Sequence, residues 1–164
     1  MEVNSTLFQF LLIELIPSII ESSKSQNLSD NQINLKLELL GFKLGNKFNE
    51  IILFKLNESF TKNETKVNLL DIMKFICKDF WKFVFQKQIN NLKTNNRGTF
   101  ILIDVNFKLF DNLNSNSLQF DNYINYYLNF TNGILRGILH NFGYNCNVNN
   151  DVNFPSVNFN IETQ

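Results

Sequence analysis

Apolar residues recur at helical spacing along much of the chain. Leu7, Phe8, Leu11, Leu12, Leu15, Ile16, Ile19 and Ile20 wrap more than one face of a first predicted helix. Thr6 with Gln9 has the spacing of a capping box at its start. Pro17 predicts a kink or a stop nearby, because it lacks an N–H. Ser29 with Gln32 repeats the capping pattern. Beyond it, Ile33, Leu37, Leu40, Leu44 and Phe48 form one stripe, and Leu35, Leu39 and Phe42 form a second beside it. Residues 51–56 are apolar and suit either an extension of this helix or a new one. Residues 57–66 are polar and read as a loop. Leu69, Met73, Ile76, Phe80 and Phe83 predict a helix over 69–84.

The pattern then changes. Residues 94–98 form a predicted turn, with Gly98 free to take positive φ. Residues 99–105 are apolar and β-branched, as a buried strand is. Tyr123, Tyr127, Phe130, Ile134 and Ile138 mark a last long helix, and Gly143 suits its stop. Tyr144, Cys146 and Val148 alternate with polar residues, as do Val157, Phe159 and Ile161. They predict two half-buried strands joined by a turn over 149–155. Strands gathered after helices predict an α+β fold, with helices on one side of an antiparallel sheet.

Two glycine pairs interrupt the helices. Gly41 and Gly45 lie four apart, as do Gly133 and Gly137. A glycine inside a helix costs about 1 kcal/mol relative to Ala. Close approach of another element is the expected compensation.

Composition narrows the function classes. The 164 residues suit a single domain spanning 1–164. Eighteen Phe predict a core rich in rings. Fifteen basic and fifteen acidic residues leave no net charge, so nothing marks a nucleic-acid or acidic-lipid surface. Asn is scattered through predicted helices and loops alike. Its Asn-x-Ser/Thr matches, such as Asn27-Leu-Ser29, are expected by chance in such a background. The apolar run over 7–20 has no basic flank and is broken by Gln9, Glu14 and Pro17. It reads as neither a signal peptide nor a membrane span, which predicts an intracellular protein.

Chemistry is sparse. Cys77 and Cys146 make no disulfide framework, and Cys77 on an apolar helix reads as a small core residue. His140 has no partner at metal-ligand spacing and reads as structural. Lys78 and Asp79 are adjacent and point about 100° apart on a helix, which favours solvated roles over acid–base work. No phosphate loop, dinucleotide fingerprint or nucleophile motif occurs. Neither an enzyme nor a cofactor is expected. Arg136, set between Gly133 and Gly137, reads as a partly buried guanidinium bonded to a carboxylate, with Asp79 and Asp104 as candidates, or to backbone carbonyls.

Residues 75–88, with Lys78-Asp-Phe-Trp81-Lys-Phe-Val-Phe-Gln-Lys-Gln88 at their centre, together with the hairpin over 93–102, resemble the transport protein particle (TRAPP) subunit 6 family. Phe8-Gln-Phe-Leu11, Gly41-Phe-Lys-Leu-Gly45 and Gly133-Ile-Leu-Arg-Gly-Ile-Leu139 extend the resemblance in order along nearly the whole chain. It implies a helical layer on a four-stranded antiparallel sheet, with a strand over 85–93 paired to 99–105. That strand comes from the resemblance, since its own pattern is mostly polar. The resemblance also implies a non-catalytic scaffold that pairs with TRAPP subunit 3, or with a second copy in isolation. Its assembly would tether vesicles and activate a Rab GTPase around the Golgi and the ER–Golgi boundary. Pairing would use the first two helices, with Leu7, Leu11, Leu15 and Ile19 facing the partner beside Ile33, Leu37, Leu40 and Leu44. The neighbouring stripes, Phe8, Leu12 and Ile16 with Leu35, Leu39 and Phe42, would face the core. The acylated cysteine of subunit-3 relatives has no counterpart, since residues 60–70 hold no Cys. The competing expectation is a small apolar ligand-binding module, its cavity lined by the rings.

Overall fold

A computed structural model describes residues 5–60, 68–95, 97–111, 113 and 120–163, with side chains omitted for 5–11, 13, 49 and 51–60. Helices α1 (Ser5–Ser25) and α2 (Asp30–Phe60) come first. Next come α3 (Leu69–Phe75), a π-helical turn (Ile76–Phe80) and α4 (Trp81–Phe85), which run on as one helix. The hairpin β1 (Asn91–Thr94) and β2 (Thr99–Asp104) follows, then a 3-10 turn (Lys108–Phe110), α5 (Phe120–Asn141), β3 (Cys146–Asn153) and β4 (Ser156–Thr163). The sheet is antiparallel in the order β1-β2-β4-β3. This is the expected α+β architecture of helices on a four-stranded sheet.

Helix starts and stops follow local chemistry. Ser29 N–H donates to Gln32 Oε1 at 2.9 Å, closing the capping box of α2. Asn68 Oδ1 accepts from Asp71 N–H at 2.9 Å at the start of α3. At the end of α5, Gly143 has φ +86°. Tyr144 N–H reaches Leu139 O, and Gly143 N–H reaches His140 O, both at 2.9 Å. That pair of bonds is a Schellman stop. The capping box at Thr6 and Gln9 lies outside the described side chains.

Two expectations change here, and a third is narrowed. Helix α1 runs through Pro17 without stopping. Leu12, Ile16 and Ile20 are fully buried on one face, anchoring both sides of the interruption. Helix α2 runs on to Phe60, past the predicted loop start at 57. Strand β1 is much shorter than expected. Phe85 ends its helix buried, Gln86 turns the chain at φ 57°, and pairing begins only at Asn91. The π-helical turn explains that geometry. Trp81 N–H reaches back five residues to Ile76 O, and the Cys77 carbonyl accepts from Ile89 N–H at 2.9 Å.

The core lies between sheet and helices. Trp81 packs on Phe85 at 4.5 Å between centroids and on Phe159 at 5.5 Å. Phe107 meets Phe85 at 5.4 Å and Phe159 at 5.5 Å. These rings fill one another's space, as the Phe-rich composition predicts. Trp81 Nε1 donates to Asp104 Oδ2 at 2.8 Å, and Lys87 forms an ion pair with the same carboxylate. Asp104 is fully buried on the core face of β2, so both bonds offset its desolvation.

The C-terminal strand is tied to the first hairpin through Gly98. Its φ is +86°, as the turn predicts. Its carbonyl accepts from both the backbone N–H and the hydroxyl of Thr163 at 3.0 Å.

Candidate partner interface

The seam between α2 and α5 decides which face of α2 is available. Gly41 and Gly45 meet Gly133 and Gly137 in a reciprocal contact. A Cβ on Gly41 would overlap the Phe130 carbonyl, and one on Gly45 the Ile134 carbonyl. On the other side, Gly133 lies against the Glu38 carbonyl and Gly137 against that of Phe42. Backbone therefore touches backbone over two turns of each helix. This supplies the close approach that both glycine pairs imply.

Polar bonds hold the seam in register. Tyr126 Oη donates to Asp30 Oδ1 at 2.5 Å, and Asn141 Nδ2 donates to Asn46 O at 3.2 Å. Arg136 forms an ion pair with Glu38. Residue numbers rise together across these pairs, so α2 and α5 run parallel. Neither expected partner holds Arg136. Asp79 lies on the exposed side of the π-helical turn, and Asp104 is occupied by Lys87 and Trp81. His140 is exposed, with its ring edge on Phe42 at 5.3 Å.

The glycine seam corrects the stripe assignment on α2. Ile33 and Leu37 are fully buried in the chain's own core, so they do not face a partner. They sit eight and four residues before Gly41, on the same line as the glycines, and that line is the inward face. Leu35 and Leu39 were expected inside; they are 59% and 61% exposed. Phe42 is half-buried, as are Leu40 and Leu44 at the rim between the faces. On α1, Leu12 and Ile16 are buried, and Leu15 and Ile19 are half-buried. Leu7 and Leu11 lie outside the described side chains.

What faces out is a patch rather than a stripe. Ile19, Leu39 and Leu40 line a shallow apolar hollow where α1 meets α2, flanked by Lys36 and Lys43. Leu35 extends the apolar surface one turn toward the start of α2. Lys36 Nζ donates to Ser23 Oγ at 3.0 Å, tying the two helices together beside the patch. The clue was present in sequence: a glycine pair needs a backbone neighbour, so its own line must point inward.

Cys77 lies half-buried in the π-helical turn, and burial pushes its thiol up to about 12. Burial pushes Cys146 up to about 11 against the opposing pull of Arg136. Burial, followed by the bond to Asp30, raises Tyr126 as well. None of these groups is poised as a nucleophile at neutral pH. Among the described residues, no cluster of His, Cys, Asp and Glu has the makings of a metal site. No described helix is long and apolar enough to cross a membrane.

Comparison with known proteins settles the lineage. The family model of the transport protein particle (TRAPP) component matches residues 8–164. The chain belongs to the TRAPP component family, among its subunit 6 members. Trafficking protein particle complex subunit 6B of Mus musculus is 38% identical over 113 residues, 68% of this chain and 66% of that protein. The Danio rerio subunit 6b is 40% identical over the same shares. The matched stretch thus spans just under two thirds of the length of these relatives. In fold, the chain superposes on a Naegleria fowleri trafficking protein particle complex subunit 3, covalently bound to palmitic acid, with a TM-score of 0.77. That match covers 97% of this TRAPP chain and 96% of the other, at 16% identity, and so speaks to fold alone.

Proposed function

We propose that this chain is a non-catalytic scaffold subunit of a TRAPP assembly, docking on a subunit-3-type partner through the outward face of α1 and α2. The observation that carries this reading is the pair Leu35 and Leu39. They stand exposed beside the Ile19–Leu40 hollow, on a helix whose other face is fixed to α5. Large apolar side chains grouped on a rigid, two-helix surface suit a permanent contact. Two helices from each subunit would bury on the order of 2,000 Å² or more. The family supports assembly with other TRAPP subunits. The subunit supplies structure to a vesicle-tethering complex that promotes nucleotide exchange on a Rab GTPase, held peripherally at Golgi and ER–Golgi membranes. A second copy is the alternative occupant of the same face when no partner is present.

Co-expression with a subunit-3 relative tests the reading. Wild-type chain is expected to co-purify with that partner at equal stoichiometry, and Leu39→Glu to be recovered folded and alone. Equal recovery of the partner with both forms would place the contact elsewhere.

A further inference from the structure

We infer that the free edge of β3 is a docking site for an extended, proline-free segment of a partner protein, added as a fifth strand. The argument starts from the ladder. Thr163 N–H bonds to Gly98 O, on the β2 side of β4. Neighbouring residues in a strand bond to opposite sides, so Glu162, Asn160, Asn158 and Ser156 bond to β3. Their partners are Asn147, Asn149, Asp151 and Asn153. The N–H and C=O groups of Cys146, Val148, Asn150 and Val152 therefore point away from the sheet. Among the described residues, no backbone bond covers them.

This edge lacks the usual protections. The register to β4 is unbroken over eight pairs, without a bulge. The strand contains neither Lys, Arg nor Pro. Its one charge, Asp151, is engaged by Asn160 Nδ2 at 2.8 Å. At the other edge, β1 is only four residues long and carries Lys93. Long, regular edges without Lys or Pro are templates for strand addition, and proteins blunt them unless something pairs there.

The surroundings say what the added strand carries. A hollow of about 310 Å³ lies at the start of β3, lined by Arg136, His140, Asn145 and Cys146 among others. Another, of about 400 Å³, lies at the far end, where Phe120, Ile124, Val152 and Phe154 gather. Val152 and Phe154 are exposed there. The six-residue step from Cys146 to Val152 spans about 20 Å of strand. The occupant thus carries a carboxylate or carboxamide side chain at one position and a large apolar one six residues away. A second copy fits less well. Two-fold antiparallel pairing of β3 with itself would set Val152 beside the polar hollow and Cys146 beside the apolar one.

The probe is a random dodecapeptide display library panned on the full chain. Enriched peptides are expected to lack proline and to share the six-residue spacing of polar and large apolar side chains. Bound, they should slow amide exchange at Cys146, Val148, Asn150 and Val152. N-methylation of alternate peptide residues should weaken binding roughly tenfold or more. Asn150→Pro should do the same, since it removes an outward N–H and leaves the bonds to β4 intact. Val152→Lys provides a second block if the proline variant melts early. The inference is overturned if no peptide is enriched or if enriched peptides leave those four amides unprotected. It is also overturned if the chain instead self-associates through β3 in a way that Asn150→Pro abolishes.

Discussion

Leu37 and Leu39 are two residues apart on α2 and meet opposite surroundings. Leu37 is fully buried, on the line that continues through Gly41 and Gly45. Leu39 is 61% exposed, beside a hollow that the described chain leaves unfilled. Both are Leu on one helix, so composition and propensity do not separate them. The backbone contact with α5 does. Once glycine meets glycine across the seam, the rotation of α2 is set, and one apolar line goes in while the other goes out. The inner face then serves folding, and the outer face is the one proposed for assembly.

Substitutions along the two faces test this division. Leu37→Ala removes a core side chain and is expected to cost about 2–5 kcal/mol of stability. Chemical denaturation of the isolated chain measures it; a loss like that of a surface change would break the comparison. Gly137→Leu pushes a side chain into the Phe42 carbonyl and should cost about 1–3 kcal/mol by overpacking. An unchanged melting temperature would mean that α2 and α5 separate readily. Arg136→Met removes the partly exposed ion pair to Glu38. Such pairs contribute about 1 kcal/mol or less, and high salt should shrink the difference between the two forms.

Alkaline pH adds a milder test of the interior. Burial raises the thiols of Cys77 and Cys146 and the phenols of Tyr126 and Tyr127. In an unfolded chain the thiols lose protons near about pH 8.5. Above that the unfolded state binds fewer protons than the native one, so stability falls as pH rises toward 12. Below pH 8 this contribution should be flat. Denaturation midpoints between pH 7 and 11 follow it, and a midpoint that rises with pH would contradict the burial of these groups.

Much of the fold was legible because periodic signals are local. The Ser29–Gln32 cap, the Gly98 turn, the Gly143 stop and the 3.6-residue spacing of α5 each depend on a few neighbouring residues. The shortness of β1 was not legible. It follows from the π-helical turn and from Gln86 at φ 57°, which carry the helix to Phe85 and delay pairing until Asn91. The partner of Arg136 was missed because Glu38 is 98 residues away and arrives through the α2–α5 seam. The stripe order on α2 is an intermediate case. Gly41 and Gly45 pointed to the inward line, but apolar spacing alone ranks Ile33–Leu37 and Leu35–Leu39 equally.

The most direct test sets three variants against one partner. Leu35→Glu, Leu39→Glu and Leu37→Ala are measured for melting temperature and for binding to a subunit-3 relative by titration calorimetry. The two outward variants should melt within a few degrees of wild type, since surface changes cost within about 0.5 kcal/mol, and bind at least roughly a hundredfold more weakly. Leu37→Ala should melt much earlier and, below its melting temperature, keep most of its affinity. Outward variants that bind as wild type does, with Leu37→Ala selectively losing the partner, would contradict the assignment of the two faces of α2.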